Sequence, residues 1–411
     1  MDLVYARCCG LDVHKDSAVA CVRLTEPSGA VSQEVCTFTT TTAGILKLGD
    51  WLRERGVTIA AMESTGVYWK PIWNLLEDQL QWMLVNARDV KQVPGRKTDV
   101  KDCQWIAQLL SCGLLKASFV PDRPQRELRD LTRQRMQLMH DLTRVANRIQ
   151  KVLEDANIKL GSVASDVLGK SGRAMIQALI DGKKTPEQMA ELALYRMRGK
   201  IPQLKLALDG RVNEHHRFML KMAMEQVRQL EEQVEAFDRR IEEVMSPLAK
   251  EAVKRLDQIP GFDQRAAEIV VAEIGWDMSR FPTSGHLSSW AGVSPGNNQS
   301  AGKRRKSGVT DGNRWLKATL MQCAWSASRC RNSYFRAQYA RLARRRGGKR
   351  AAMAVAHSQL CVAYQVLKEP KDYQDLGVDY FDRRNEEALK RHLVRRLDHL
   401  GYEVTLKVKA A

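Results

Sequence analysis

Three β-rich runs open the chain: Val4-Tyr-Ala-Arg-Cys-Cys-Gly-Leu-Asp-Val13, Ser17-Ala-Val-Ala-Cys-Val-Arg-Leu-Thr25 and Val31-Ser-Gln-Glu-Val-Cys-Thr-Phe-Thr-Thr40. The links between them, His14-Lys15-Asp16 and the turn at Pro27-Ser28-Gly29, are short, which implies two hairpins and so three antiparallel strands. Beyond them the pattern alternates. A helix is expected over Thr42 to Arg55, a strand over Val57 to Met62, a helix around Trp69 to Leu80, a strand over Gln81 to Val85, and a helix from Thr98 to Leu110 with Thr98 as its N-cap. The order βββαβαβα makes residues 1–120 an α/β domain.

The full length of 411 residues allows two to four domains at roughly 150 residues each. An apolar content of 44% with 28% charged residues excludes a wholly disordered chain. No run approaches the ~18 apolar residues of a membrane span, and the first residues lack a signal-peptide pattern, so a cytoplasmic, nucleoid-associated protein with no membrane partner is expected. The nine cysteines contain no C-x-x-C pair, which argues against a disulfide framework or a zinc ribbon and for reduced, small core residues. The net charge of +18 is localised. Residues 1–120 hold thirteen charges of each sign, whereas residues 251–411 hold twenty-nine basic against sixteen acidic, and between 301 and 350 fifteen basic residues face only Asp311. Such a density suits a polyanion; a solvated basic face or a membrane-surface patch is the blander reading, and interleaved Gly, Trp and Tyr favour nucleic acid.

Residues 121–250 read as a helical, coiled-coil region. From Gln125 to Glu154, apolar residues recur at three- and four-residue steps, with Arg135 interrupting the seam. From Leu220 to Leu248 the a/d rhythm is unbroken until Pro247, and the seam could be filled from within the chain or by another subunit. Residues 161–210 look like a connector. Residues 251–350 hold Ile259-Pro-Gly-Phe262, a turn of helix-hairpin-helix type able to offer backbone N–H groups to phosphate, then a glycine-rich basic loop and helices from Asn313 to Arg345. Residues 351–411 read as a tail of unknown role with one helix, Asn385 to Leu400, and a short strand, Val404 to Val408.

Four carboxylates stand at element ends. Asp12 closes the first strand, Glu63 follows the fourth, and Asp99 and Asp102 lie three apart on one helix face. The element order is that of the ribonuclease H-like (RuvC-like) fold, where such points converge, though on order alone other α/β folds stay open. Converging carboxylates need a counter-charge, and hard oxygen donors select Mg²⁺ or Mn²⁺, a pair of which can clamp the attacking and leaving oxygens of a phosphodiester. His14 is a possible further ligand, or an ordinary turn histidine. In the basic loop, Ser300 precedes Ala301, Gly302 and the cations Lys303, Arg304, Arg305 and Lys306, with Arg314 and Lys317 following; small neighbours would admit a phosphate to the hydroxyl.

Six segments carry a resemblance: Gly10-Leu-Asp-Val-His-Lys15; Ala61-Met-Glu-Ser-Thr-Gly-Val-Tyr-Trp69; Lys97-Thr-Asp-Val-Lys-Asp-Cys103; Leu131-Thr-Arg-Gln-Arg135 with Asn147-Arg-Ile149; Ile259-Pro-Gly-Phe262; and Trp290-Ala-Gly-Val-Ser-Pro-Gly296 through Ser300-Ala-Gly-Lys303 to Gly312-Asn-Arg-Trp-Leu316. In this order, over residues 1 to about 345, the chain resembles the DEDD-type insertion-sequence transposases of the insertion-sequence one-ten family. The resemblance implies that Asp12, Glu63, Asp99 and Asp102 form a metal-binding tetrad and that Ser300 is a nucleophile in a C-terminal transposase domain. It also implies a homo-oligomer, dimer or tetramer, programmed by a structured non-coding RNA from the element that pairs with donor and target DNA. The family's Ser-Ser-Gly-Gly-Lys reads Gln299-Ser300-Ala301-Gly302-Lys303 here. Alignment on Gly-Lys selects Ser300, with Ser307 as the other candidate. A metal-dependent junction resolvase using water and a non-catalytic nucleic-acid scaffold are the competing readings.

Overall fold

Strand β1 (Arg7–Val13) pairs antiparallel with β2 (Ser17–Thr25), and β2 with β3 (Val31–Thr39). On its other side β1 takes β4 (Ile59–Glu63) in parallel, and β4 takes β5 (Gln81–Val85), so the five-stranded sheet runs β3-β2-β1-β4-β5. These are the expected elements with ends moved by a few residues. The computed structural model describes residues 3–64, 66–87, 90, 102–296, 299–300, 302–304, 308–309 and 312–407. The chain divides into two units, Met1–Pro121 and Asp122–Ala411.

In the first unit the two-residue period of the strands assigns each face its helices. Cys9 and Leu11 pack with Ile45, Leu48 and Leu52 of α1 (Thr42–Glu54) and Ile72 and Leu76 of α2 (Trp69–Leu76). Cys8, Ile59 and Ala61, on the opposite face, pack with Ile106, Leu109 and Leu110 of α3 (Asp102–Ser111). Thr41 starts α1 by accepting the Gly44 N–H. The expected start of α3 at Thr98 lies outside the described residues.

The second unit is mainly helical. α4 (Arg123–Asp155) starts at Asp122, whose side chain accepts the Gln125 N–H, with Pro124 in the first turn. It runs antiparallel to α6 (Glu214–Val244), as the cross-helix pairs Arg135 with Asp238, Arg148 with Gln226 and Asp155 with His216 require. The apolar seam of α6 is thus filled from within the chain: Leu220, Val227 and Leu230 pack with Leu138, Val145 and Ile149 of α4. Arg135 interrupts the seam of α4 because Asp238 stands opposite it. The expected connector belongs to the same core, since α5 (Lys170–Asp181) adds Met175, Ile176 and Leu179.

The core of the remaining helices takes in α7 (Pro247–Asp257), α8 (Gln264–Ile274), α9 (Ser284–Trp290), α10 (Arg314–Ala327), α11 (Tyr334–Arg346) and α12 (Gly348–Lys368). α6 ends before the expected Leu248 because Ser246 N-caps α7, with Pro247 in its first turn. The larger difference is α12, where a tail was expected from residue 351. Its Ala352, Val355, Ala356, Leu360 and Ala363 lie in this core, Gln359 donates to the Pro260 carbonyl at 2.9 Å, and the Tyr364 hydroxyl donates to that of Phe281 at 2.9 Å. An alanine-rich buried face gave little apolar contrast to read. Beyond it α13 (Glu386–Asp398) matches the expected last helix, and residues 402–407 form no strand.

Candidate active site

Asp12 and Glu63 stand at the ends of adjacent parallel strands, one step beyond the paired residues Leu11 and Met62. By the two-residue period both belong to the face covered by α3. The approach of α3 is fixed at Gly10, where an added Cβ would lie 2.2 Å from the Cys103 carbonyl oxygen and 2.4 Å from the Ala107 nitrogen. Only glycine lets the helix backbone touch the strand, and that contact sets the first turn of α3, beginning with Asp102, over the end of β1. Three of the four expected carboxylates therefore come from elements meeting at one edge of the sheet; Asp99 lies outside the described residues. Asp12 is paired with His14, Oδ2 to Nε2 3.2 Å, and its side chain is 32% exposed. Among the described residues no three acidic, histidine or cysteine side chains are grouped closely enough to hold a metal ion. The donor chemistry, carboxylate oxygens on one face, fits a hard divalent cation.

Ser300 lies on a small hairpin. β6 (Gln299–Ser300) pairs antiparallel with β7 (Lys303–Arg304), Ser300 opposite Lys303, and Gly302 takes φ +75° in the turn. Lower on the arm Pro295 bridges Val309, and the Gly296 N–H donates to the Gly308 carbonyl at 2.8 Å. The base closes at Gly312, where a Cβ would meet the Gly292 nitrogen at 2.3 Å. The Trp290-Ala-Gly-Val and Gly312-Asn motifs thus form the two sides of one neck. Arg305, Lys306 and Ser307 lie outside the described residues. Arg314 is exposed, its guanidinium 4.8 Å from the Trp315 ring, and Lys317 is half-buried on α10.

The neck is wired to α4 by a group the sequence reading missed. Glu273, fully buried on α8, accepts from Arg133 Nε at 2.7 Å and Nη2 at 2.8 Å, and from Asn313 Nδ2 at 2.5 Å. Arg129 lies 3.6 Å away and donates to the Ala272 carbonyl at 2.9 Å. Burial pushes the Arg129 pKa down to about 10, opposed by the Glu273 carboxylate, so it stays charged at neutral pH. The Asn313 side-chain oxygen in turn caps α10 through the Trp315 and Leu316 N–H groups. An acid inside the apolar run Ile269-Val-Val-Ala-Glu-Ile274 was the available signal.

The Pro260-Gly261 turn does not need phosphate to explain it. Gly261 has φ +93°, and a Cβ there would lie 2.3 Å from the Cys323 carbonyl of α10. The Asp263 carboxylate accepts the Ala266 N–H at 2.7 Å, occupying the helix end an anion would use. Packing against α10 therefore accounts for the glycine of this motif.

The sheet order with carboxylates at neighbouring strand ends marks a ribonuclease H-like domain, joined here to a helical one. A family model for the DEDD transposases of IS110 elements matches residues 9–158, and one described as Transposase IS116/IS110/IS902 family matches residues 253–340. The chain belongs to the IS110 family of transposases, enzymes that cut and rejoin DNA. No curated protein matches it. Among the described residues no helix is long and apolar enough to cross a membrane.

Proposed function

We propose that this transposase exchanges DNA strands through a phosphoserine intermediate, with Ser300 as nucleophile and Asp12, Glu63, Asp99 and Asp102 as the residues that hold Mg²⁺ or Mn²⁺. The observation that carries the reading is the hairpin: it sets Ser300 opposite Lys303, beside a glycine, on an arm whose neck is pinned at Gly312. The Ser300 hydroxyl gives up its proton and attacks phosphorus, and the bond to the leaving deoxyribose oxygen breaks as that oxygen takes a proton. The ester so formed keeps the phosphodiester energy, and a hydroxyl of the second strand attacks it, restoring the serine. Lys303, Arg304, Arg305 and Lys306 offset the phosphoryl charge. A divalent ion, when bound by the carboxylates, supplies Lewis-acid stabilisation of a leaving oxygen.

The partners in this reading are donor and target DNA, a structured non-coding RNA of the element, and further copies of the chain as a dimer or tetramer. The family resemblance and the basic C-terminal half support them. Ser300→Ala is expected to abolish a DNA–protein adduct that survives denaturation, and with it recombination, while binding persists. Normal cleavage by that variant, with free DNA ends, would make water the nucleophile and the protein a resolvase.

A further inference from the structure

The second family match ends at residue 340, and the chain on either side of that point builds a groove that the proposed chemistry does not use. From Tyr334 to Arg350 there are seven basic residues and no acid. Ala337, Ala340, Arg341, Arg344 and Arg345 share one face of α11 and line a groove of about 790 Å³, closed on its far side by Phe381, Asp382 and His392. The two alanines hollow the floor and the three arginines form its rim. All three arginines are exposed, and among the described residues none has a carboxylate within ion-pair distance. Asp382 is the one acid in the lining, so most of the positive charge is left uncompensated.

The far wall is fixed to the helix. Phe381 stacks on Tyr334 with centroids 5.2 Å apart and rings inclined by 23°, and Tyr380 packs edge-on against Tyr334 at 5.2 Å. The Tyr334 N–H donates to Asp375 Oδ1 at 3.0 Å, and Arg383 pairs with Asp379 at 3.0 Å. The Arg341 guanidinium lies 5.5 Å from the Phe381 centroid, which orients it without neutralising it.

We propose that this groove is a backbone clamp for duplex DNA, gripping its phosphates. Guanidiniums at i, i+3 and i+4 stand ~5–6 Å apart at their Cβ atoms, a comb suited to successive phosphates of one strand. Of the two rings in the lining Phe381 is already engaged by Tyr334 and Arg341, which leaves only the exposed His392, too little to stack successive unpaired bases and so an argument against a single strand. The clamp depends neither on Ser300 nor on the carboxylates, because DNA is the substrate of the family itself.

The test replaces Arg341, Arg344 and Arg345 by Gln together in the full-length protein. Binding to a duplex DNA, a single-stranded DNA and a duplex RNA of one length is then titrated against salt. For duplex DNA the log–log salt slope should shrink by about 0.9 for each phosphate that the variant no longer neutralises, so by about 1 to 3, and affinity near 0.15 M salt should fall at least tenfold. The corresponding triple Lys variant should keep most of the slope, and D382N should raise affinity. Unchanged slopes for the Gln variant would overturn the clamp. So would a weakening confined to the single strand or the RNA.

Discussion

Gly10 carries no functional group, yet the placement of Asp102 depends on it. Its missing side chain is the space that the Cys103 carbonyl and the Ala107 nitrogen occupy. Gly10→Ala should displace the start of α3, destabilise the first unit by about 1–3 kcal/mol, and abolish cleavage with DNA binding kept. Thermal melting and a cleavage assay read the two effects, and a variant that cleaves at the wild-type rate would separate this contact from the site. Cysteines make a different residue-scale claim. Burial pushes the Cys8 thiol up to about 12 and Cys21 to about 11, against about 9 in an unfolded chain. Both stay protonated in the folded state, so their contribution is whole below pH ~9 and is lost as pH rises towards 11 to 12, where only the unfolded thiols have ionised. Under reducing conditions stability should fall between about pH 9 and 11, and Cys8→Ala should flatten that decline by about 2 kcal/mol near pH 10.5. Equal pH profiles for the two proteins would show that Cys8 is solvated.

At the scale of elements, the sheet was legible because strand alternation and short links leave few pairings, and β1 to β5 lie where the sequence puts them. The heptads of α6 specified an apolar seam but not its partner; the partner is α4, whose Arg135 meets Asp238 where the seam breaks. α12 was missed because alanine buries little area per residue and marks no stripe. Glu273 escaped because its meaning lies in residues 140 positions upstream and 40 downstream. Removing it as Glu273→Ala strands the Arg133 and Arg129 charges and should cost about 3–5 kcal/mol, with Asn313 and the neck of the Ser300 arm released. Glu273→Gln keeps the Asn313 contact and should cost less. Denaturant midpoints check both, and a loss under about 1 kcal/mol for the alanine variant would show the network to be marginal.

For the whole molecule, charge sorted the chain before structure did. The balanced first 120 residues contain the carboxylates, and the basic remainder contains the serine arm and the groove beside α11. Asp12, Glu63, Asp102 and Ser300 stand out in the sequence as candidates because each sits in a short motif. The sequence could not show that Gly10, Gly312 and Asn313 are what hold those motifs in place, since those contacts join distant segments. The central claim is that the chain's own serine takes the DNA. With full-length protein, Mg²⁺ and a duplex nicked to trap cleavage, nuclease digestion followed by peptide mass spectrometry should find the nucleotide on the peptide containing Ser300, and none on that peptide from Ser300→Ala. A nucleotide on Ser307 or Ser294 instead, or free DNA ends with unmodified peptides, would contradict it.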